Sequence, residues 1–96
     1  MKPSVALATH RDVIRRVVET HRARNPRVFG SLVHGDDTDG SDLDILIDPI
    51  AETSFFDLGA VHYELNALLG VPVDVVKPNA LPERSRDQVL AEARSI

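Results

Sequence analysis

Ser41-Asp42-Leu43-Asp44-Ile45-Leu46-Ile47-Asp48-Pro49 is the stretch on which the fold turns. Leu43, Ile45 and Ile47 alternate with Asp42, Asp44, Leu46 and Asp48, a period of two that specifies a strand, and Asp48-Pro49 ends it. Aspartate is depleted in strands, and an ionised carboxylate is costly to bury without a partner. Asp42 and Asp44 therefore stand out. Side chains two apart on a strand leave the same face, roughly 6–7 Å from each other, and two carboxylates so placed repel unless a cation neutralises them.

Upstream, a short strand from Arg27 to Phe29 runs into Gly30-Ser31, and Leu32-Val33-His34 follows as the first turn of a short helix. Glycine lets the backbone approach a ligand closely, and helix-start N–H groups with a serine hydroxyl can hold phosphate oxygens. Ten residues separate Gly30-Ser31 from Asp42. The spacing places a phosphate holder and a metal-binding pair on two strands joined by one short connection. That connection contains Asp36-Asp37-Thr38-Asp39-Gly40. Its glycine falls too early for a calcium loop and no glutamate closes it, so it reads as a solvated turn.

Before this core, Val13, Ile14, Val17 and Val18 recur at helical spacing in a segment from Thr9 to about Arg24. Thr9 with Asp12 resembles a capping box, and Asn25-Pro26 stops the helix. After it, Ser54 with Asp57 opens a second helix whose buried stripe is Leu58, Val61, Leu65 and Leu68, and Gly70 closes it. Phe55 and Phe56 are expected in the core more readily than at an interface, although both cannot face the same core. Val71 to Val76 is a β-branched strand, and Pro82 to about Ser95 forms a last helix with Val89, Leu90 and Ala93 inward. The order α-β-β-α-β-α specifies an α/β (α+β) fold, a small mixed β-sheet covered by helices, with residues 1–96 as one domain.

The third notable carboxylate is Asp74, inside Val73-Asp74-Val75-Val76. If the two strands are neighbours, Asp42, Asp44 and Asp74 converge at one edge of the sheet. Oxygen ligands without His or Cys suit a hard ion, Mg²⁺ or Mn²⁺. Each carboxylate also has a plainer reading, Asp42 and Asp44 on a solvated strand face and Asp74 paired with an arginine at a strand end. His10, His21 and His62 read as surface or helix-face residues, with no second histidine at a ligand spacing.

Composition narrows the function. Eleven Lys and Arg against 15 Asp and Glu give a net charge of −4, which opposes non-specific nucleic-acid binding. The absence of cysteine excludes thiolate nucleophiles, disulfides and cysteine-ligated zinc. No apolar run reaches the ~20 residues that span a bilayer, and no secretory leader opens the chain, so a cytoplasmic protein without membrane contact is expected.

Gly30-Ser31-Leu32-Val33-His34-Gly35 followed by Ser41-Asp42-Leu43-Asp44-Ile45 resembles the signature of the nucleotidyltransferase (DNA polymerase β-like) superfamily. The chain is most similar to the minimal nucleotidyltransferases, the MntA-type antitoxins paired with HEPN-domain toxins, from its first helix to its C-terminus. Ser54-Phe55-Phe56-Asp57-Leu58 and Val73-Asp74-Val75-Val76 are part of the likeness. The resemblance implies a palm-like sheet with Gly30 and Ser31 at the triphosphate, Asp42 and Asp44 at Mg²⁺, and Asp74 at a second metal and the acceptor hydroxyl. It implies transfer of AMP from ATP to a tyrosine of a HEPN-type RNase toxin, in a hetero-oligomer with that toxin. His34 stands where the family carries arginine, and is placed near the nucleotide rather than on the metal. Ser41 is a candidate for the nucleotide or the carboxylates, or for capping its own loop. A binding-only antitoxin that blocks the toxin sterically is the alternative function.

Overall fold

In a computed structural model describing residues 1–96, the chain runs α1 (Pro3–Thr20), β1 (Ala23–Phe29), a 3-10 turn (Gly30–Leu32), β2 (Leu43–Pro49) and α2 (Phe55–Leu69). It continues through β3 (Val73–Val76), a second 3-10 turn (Pro78–Ala80), α3 (Glu83–Glu92) and β4 (Arg94–Ser95). The strands form one mixed sheet in the order β3-β2-β1-β4. β1 lies antiparallel to β2 and β4, and β2 lies parallel to β3, with α2 as the crossover. The α/β fold with a small mixed sheet covered by helices is the architecture that the order of elements specified.

The period of two in β2 sorts the sheet. Leu43, Ile45 and Ile47 point into a cluster with Ile14, Val17 and Val18 of α1 and Val61, Leu65 and Leu69 of α2. Leu46 leaves the other face and is also fully buried, outside that cluster. The carboxylates of β2 share that second face.

α2 carries the local signals read from the sequence. Ser54 accepts a hydrogen bond from the Asp57 amide, Asp57 accepts one from the Ser54 amide, and Gly70 ends the helix at φ 74°. Its stripe departs from the expected one only at the last position. Leu69 is buried, whereas Leu68, expected inward, is 54% exposed, because 61, 65 and 69 keep a strict spacing of four over the sheet. Phe55 and Phe56 are 85% and 84% exposed, which overturns their expected place in the core. They sit in the first turn of α2, off the buried stripe.

α1 begins at Pro3, not Thr9. Proline at the first position needs no donor, and the cap comes from a distance: the Ser4 amide donates to Asp37 Oδ2 at 2.9 Å across 33 residues. Thr9 instead donates to the Val5 carbonyl inside the helix, and His10 leaves helical geometry as a kink. The acidic loop is thus not simply solvated. This hydrogen bond holds the Asp37 carboxyl below its ordinary range.

The helix ends at Thr20 and the strand starts at Ala23, so Asn25-Pro26 lies inside β1 and stops nothing. The pairing with β2 slips between Arg24 and Arg27, Asn25 takes φ 55°, and the buried Pro26 sits in that irregularity, where no ladder donor is required. Arg27 then clamps Asp48 with two hydrogen bonds of 3.0 Å, which hold the Asp48 carboxyl below its usual range.

At the C-terminal end the expected helix is shorter. Ala93 turns extended and Arg94-Ser95 adds a strand beside Arg27 and Val28. Val89, Leu90 and Ala93 were expected inward, yet α3 has no buried residue. The last expected strand likewise begins at Val73; Val71 is buried just before it. No helix is long and apolar enough to cross a membrane.

Candidate active site

Strand register builds the site. In the parallel pair of β2 and β3, Asp44 stands directly opposite Asp74. In the antiparallel pair, Asp44 stands opposite Phe29, the residue before Gly30. Three separate segments therefore meet around one carboxylate: the end of β1, the start of β2 and the start of β3. Asp42 lies just ahead of β2, on the face of Asp44.

The electrostatics are those of a carboxylate set short of positive charge. Burial, then Asp74, then Asp42 push the Asp44 carboxyl up to about 6. None of the five ion pairs in the chain uses Asp42, Asp44 or Asp74, and none of their oxygens takes part in a side-chain hydrogen bond. Asp48, on the same strand, has an arginine and asparagine to itself; the three site carboxylates have neither. They are not drawn into a closed group of ligands. The donor set fits a hard divalent cation: oxygen only and mutually repulsive, with one member raised above the ordinary carboxylate range by its neighbours and burial.

Gly30 is where the backbone comes closest. It takes φ +78°, and a Cβ built on it would collide with Oδ2 of Asp44 and lie 3.2 Å from its Cγ. Any side chain here would displace the carboxylate, so the glycine is required by both conformation and space. The 3-10 turn that follows has no side-chain cap, and the Ser31 carbonyl accepts the Asp36 amide at 2.9 Å, folding the loop back on the turn.

His34 is exposed, and its Nε2 lies 2.7 Å from Glu92 of α3. Arg94 donates to the Val33 carbonyl at 3.1 Å, so the C-terminal elements brace the turn carrying Gly30 and Ser31. Ser41 Oγ accepts the Thr38 amide at 2.9 Å and lies 3.2 Å from the Thr38 hydroxyl, a closure of its own loop.

Sequence reasoning missed Asn66. From α2 its amide donates to the Val73 carbonyl and accepts from the Val73 amide, both at 2.9 Å, so one side chain completes the outer edge of β3 beside Asp74. A lone asparagine on a helix carries no signal for this, since it depends on where β3 lands. Asn66→Ala leaves two strand groups unpaired and is expected to cost about 1–3 kcal/mol, read as a lowered midpoint in urea unfolding.

Residues 14–96 match the family model described as polymerase beta, nucleotidyltransferase. A protein from Thermococcus cleftensis named protein adenylyltransferase MntA is 35% identical over 86 residues, 90% of this chain and 84% of that protein. A Methanocaldococcus jannaschii protein named as a protein adenylyltransferase is 34% identical over 73 residues, 76% of this chain and 78% of that one. Among solved structures, one described as a minimal nucleotidyltransferase superposes with a TM-score of 0.82 at 33% identity, over 100% of this chain and 95% of the other. A toxin–antitoxin complex with AMP-PNP shares the fold at a TM-score of 0.72 and 19% identity, covering 88% of this chain and 69% of that one. With that family model matched over most of its length and such relatives above 30% identity, the chain belongs to the polymerase β-type nucleotidyltransferase family and is a nucleotidyltransferase.

Proposed function

We propose that this chain transfers AMP from ATP to a tyrosine hydroxyl of a HEPN-type RNase toxin and so acts as its antitoxin. The observation that carries the reading is Asp44 facing Asp74 across β2 and β3 with Gly30 against it. The adenylyltransferase names of relatives above 30% identity support the nucleotide and the class of reaction.

Asp42, Asp44 and Asp74 would hold Mg²⁺, with Mn²⁺ as a substitute; when bound, it supplies positive charge at the attacking and leaving oxygens of the displacement at the α-phosphate. Gly30 and Ser31 would bind the triphosphate through backbone N–H groups and the Ser31 hydroxyl, on a turn that no side chain caps. Asp74, exposed at the sheet edge, would meet the acceptor hydroxyl and orient it toward phosphorus. With a net charge of −4, the chain recruits a folded protein acceptor and no nucleic acid.

Incubation of the HEPN-type toxin with this chain, ATP and Mg²⁺ is expected to raise the intact mass of the toxin by whole AMP units on a tyrosine. The second reading, steric inhibition without transfer, is favoured by His34, which is bonded to Glu92 and offers no forked cation to phosphate. A stable complex with no mass gain would establish that reading and overturn the first.

A further inference from the structure

α2 carries four of the large apolar side chains that the fold leaves in solvent: Phe55, Phe56, Tyr63 at 76% exposed, and Leu68. A helix facing water with that much aromatic surface is a face made for covering. Along the line directly opposite its buried stripe stand Phe56, Ala60, Tyr63 and Ala67, large and small in turn. Their spacings are four, three and four, which read the same from either end. Run antiparallel against itself, this line places Phe56 over Ala67 and Tyr63 over Ala60, each large side chain over a small one.

We infer that two copies of this chain pair through α2 about a two-fold axis passing between Val61 and His62. Such an interface is isologous: each contact occurs twice, and the association closes at two. Phe55 and Phe56 already meet edge to face within one chain, with centroids 6.3 Å apart, so part of the ordering cost of the patch is met before association. Burying Phe56 and Tyr63 of each copy removes roughly 500–800 Å² in all, the size of a small, transient interface. The dimer is accordingly weak, with a dissociation constant of about 1–100 µM.

α2 covers the face of the sheet that carries Leu43 and Ile45, while Asp42, Asp44 and Asp74 leave the opposite face. Pairing through α2 therefore turns the two carboxylate sites outward, each open to a nucleotide and an acceptor. The inference stands apart from the choice of acceptor and holds whether or not AMP is transferred.

Sedimentation equilibrium of the chain alone, from roughly 1 to 500 µM, is expected to show the mass rising from 10.6 kDa toward twice that value. Tyr63→Glu and Phe56→Glu lie on exposed positions and set a carboxylate over Ala60 or Ala67 of the other copy. Each is expected to raise the dissociation constant at least about 30-fold, with an unchanged circular dichroism spectrum. A monomeric mass at every concentration overturns the inference. So does a dimer of equal strength in both variants, or association seen only when a different protein is present.

Discussion

Asp44→Asn is expected to abolish nucleotidyl transfer and, at the same time, to make the protein more stable at neutral pH. The two effects have one cause. Asp44 is ionised at pH 7 against burial and against Asp74 and Asp42, with its carboxyl pushed up to about 6 from the ordinary 3.8. Between those values the native state binds more protons than the unfolded chain, so stability falls as pH rises through that window and stays reduced above it. The full shift is worth about 3 kcal/mol; because the carboxyl keeps contact with water, the net penalty is nearer about 1–2 kcal/mol. Asparagine keeps the shape and removes the charge. The variant should therefore melt roughly 5–10 °C higher at pH 8, and the advantage should vanish below pH 4. Transfer should fall by at least about 10³-fold, as one of the carboxylates proposed to hold Mg²⁺ is lost. A melting temperature equal to that of the parent at pH 8, measured by calorimetry, would show that Asp44 is not frustrated.

Gly30→Ala is expected to give the second largest loss. The added methyl group occupies the place of the Asp44 carboxylate oxygen, at a backbone φ of +78° that alanine adopts only with strain. The backbone term alone costs about 1–2 kcal/mol, and relief of the clash moves either the turn or Asp44. Transfer should drop about 100-fold or more, since a displacement near 1 Å at reacting groups has that effect. Gly35→Ala is the control: it also has positive φ but meets nothing within 4 Å, so it should lose stability without a comparable loss of transfer. Unfolding midpoints and steady-state rates of the two variants, compared side by side, separate backbone strain from displacement of the carboxylate.

The parts of the fold that follow local rules were legible in the sequence. The alternation in β2, the Ser54–Asp57 box and Gly70 each act within a few residues, and each is where the pattern put it. What failed depended on distant partners. The start of α1 is capped by Asp37, far along the chain, so no inspection of residues 1–12 reveals it. Pro26 is tolerated within β1 only because the ladder slips there. Arg94-Ser95 is too short to show a period and becomes a strand because β1 offers an open edge. Leu68 and Leu69 both fit a helical repeat from Leu65, and only the lie of α2 on the sheet decides between them. In the site, Asp42, Asp44 and Asp74 were singled out because carboxylates in strands are unusual; that Asp44 faces Asp74, and that Gly30 packs on Asp44, required the register.

The most direct test of the carboxylate site as a divalent-metal centre is a Mn²⁺ titration followed by electron paramagnetic resonance, with and without a non-hydrolysable ATP analogue. The parent chain is expected to remove Mn²⁺ from the free signal, more tightly with the analogue present, while Asp44→Asn, folded and more stable, removes little. Equal loss of the free signal in the parent and the variant would contradict the account, because the metal would then be held elsewhere.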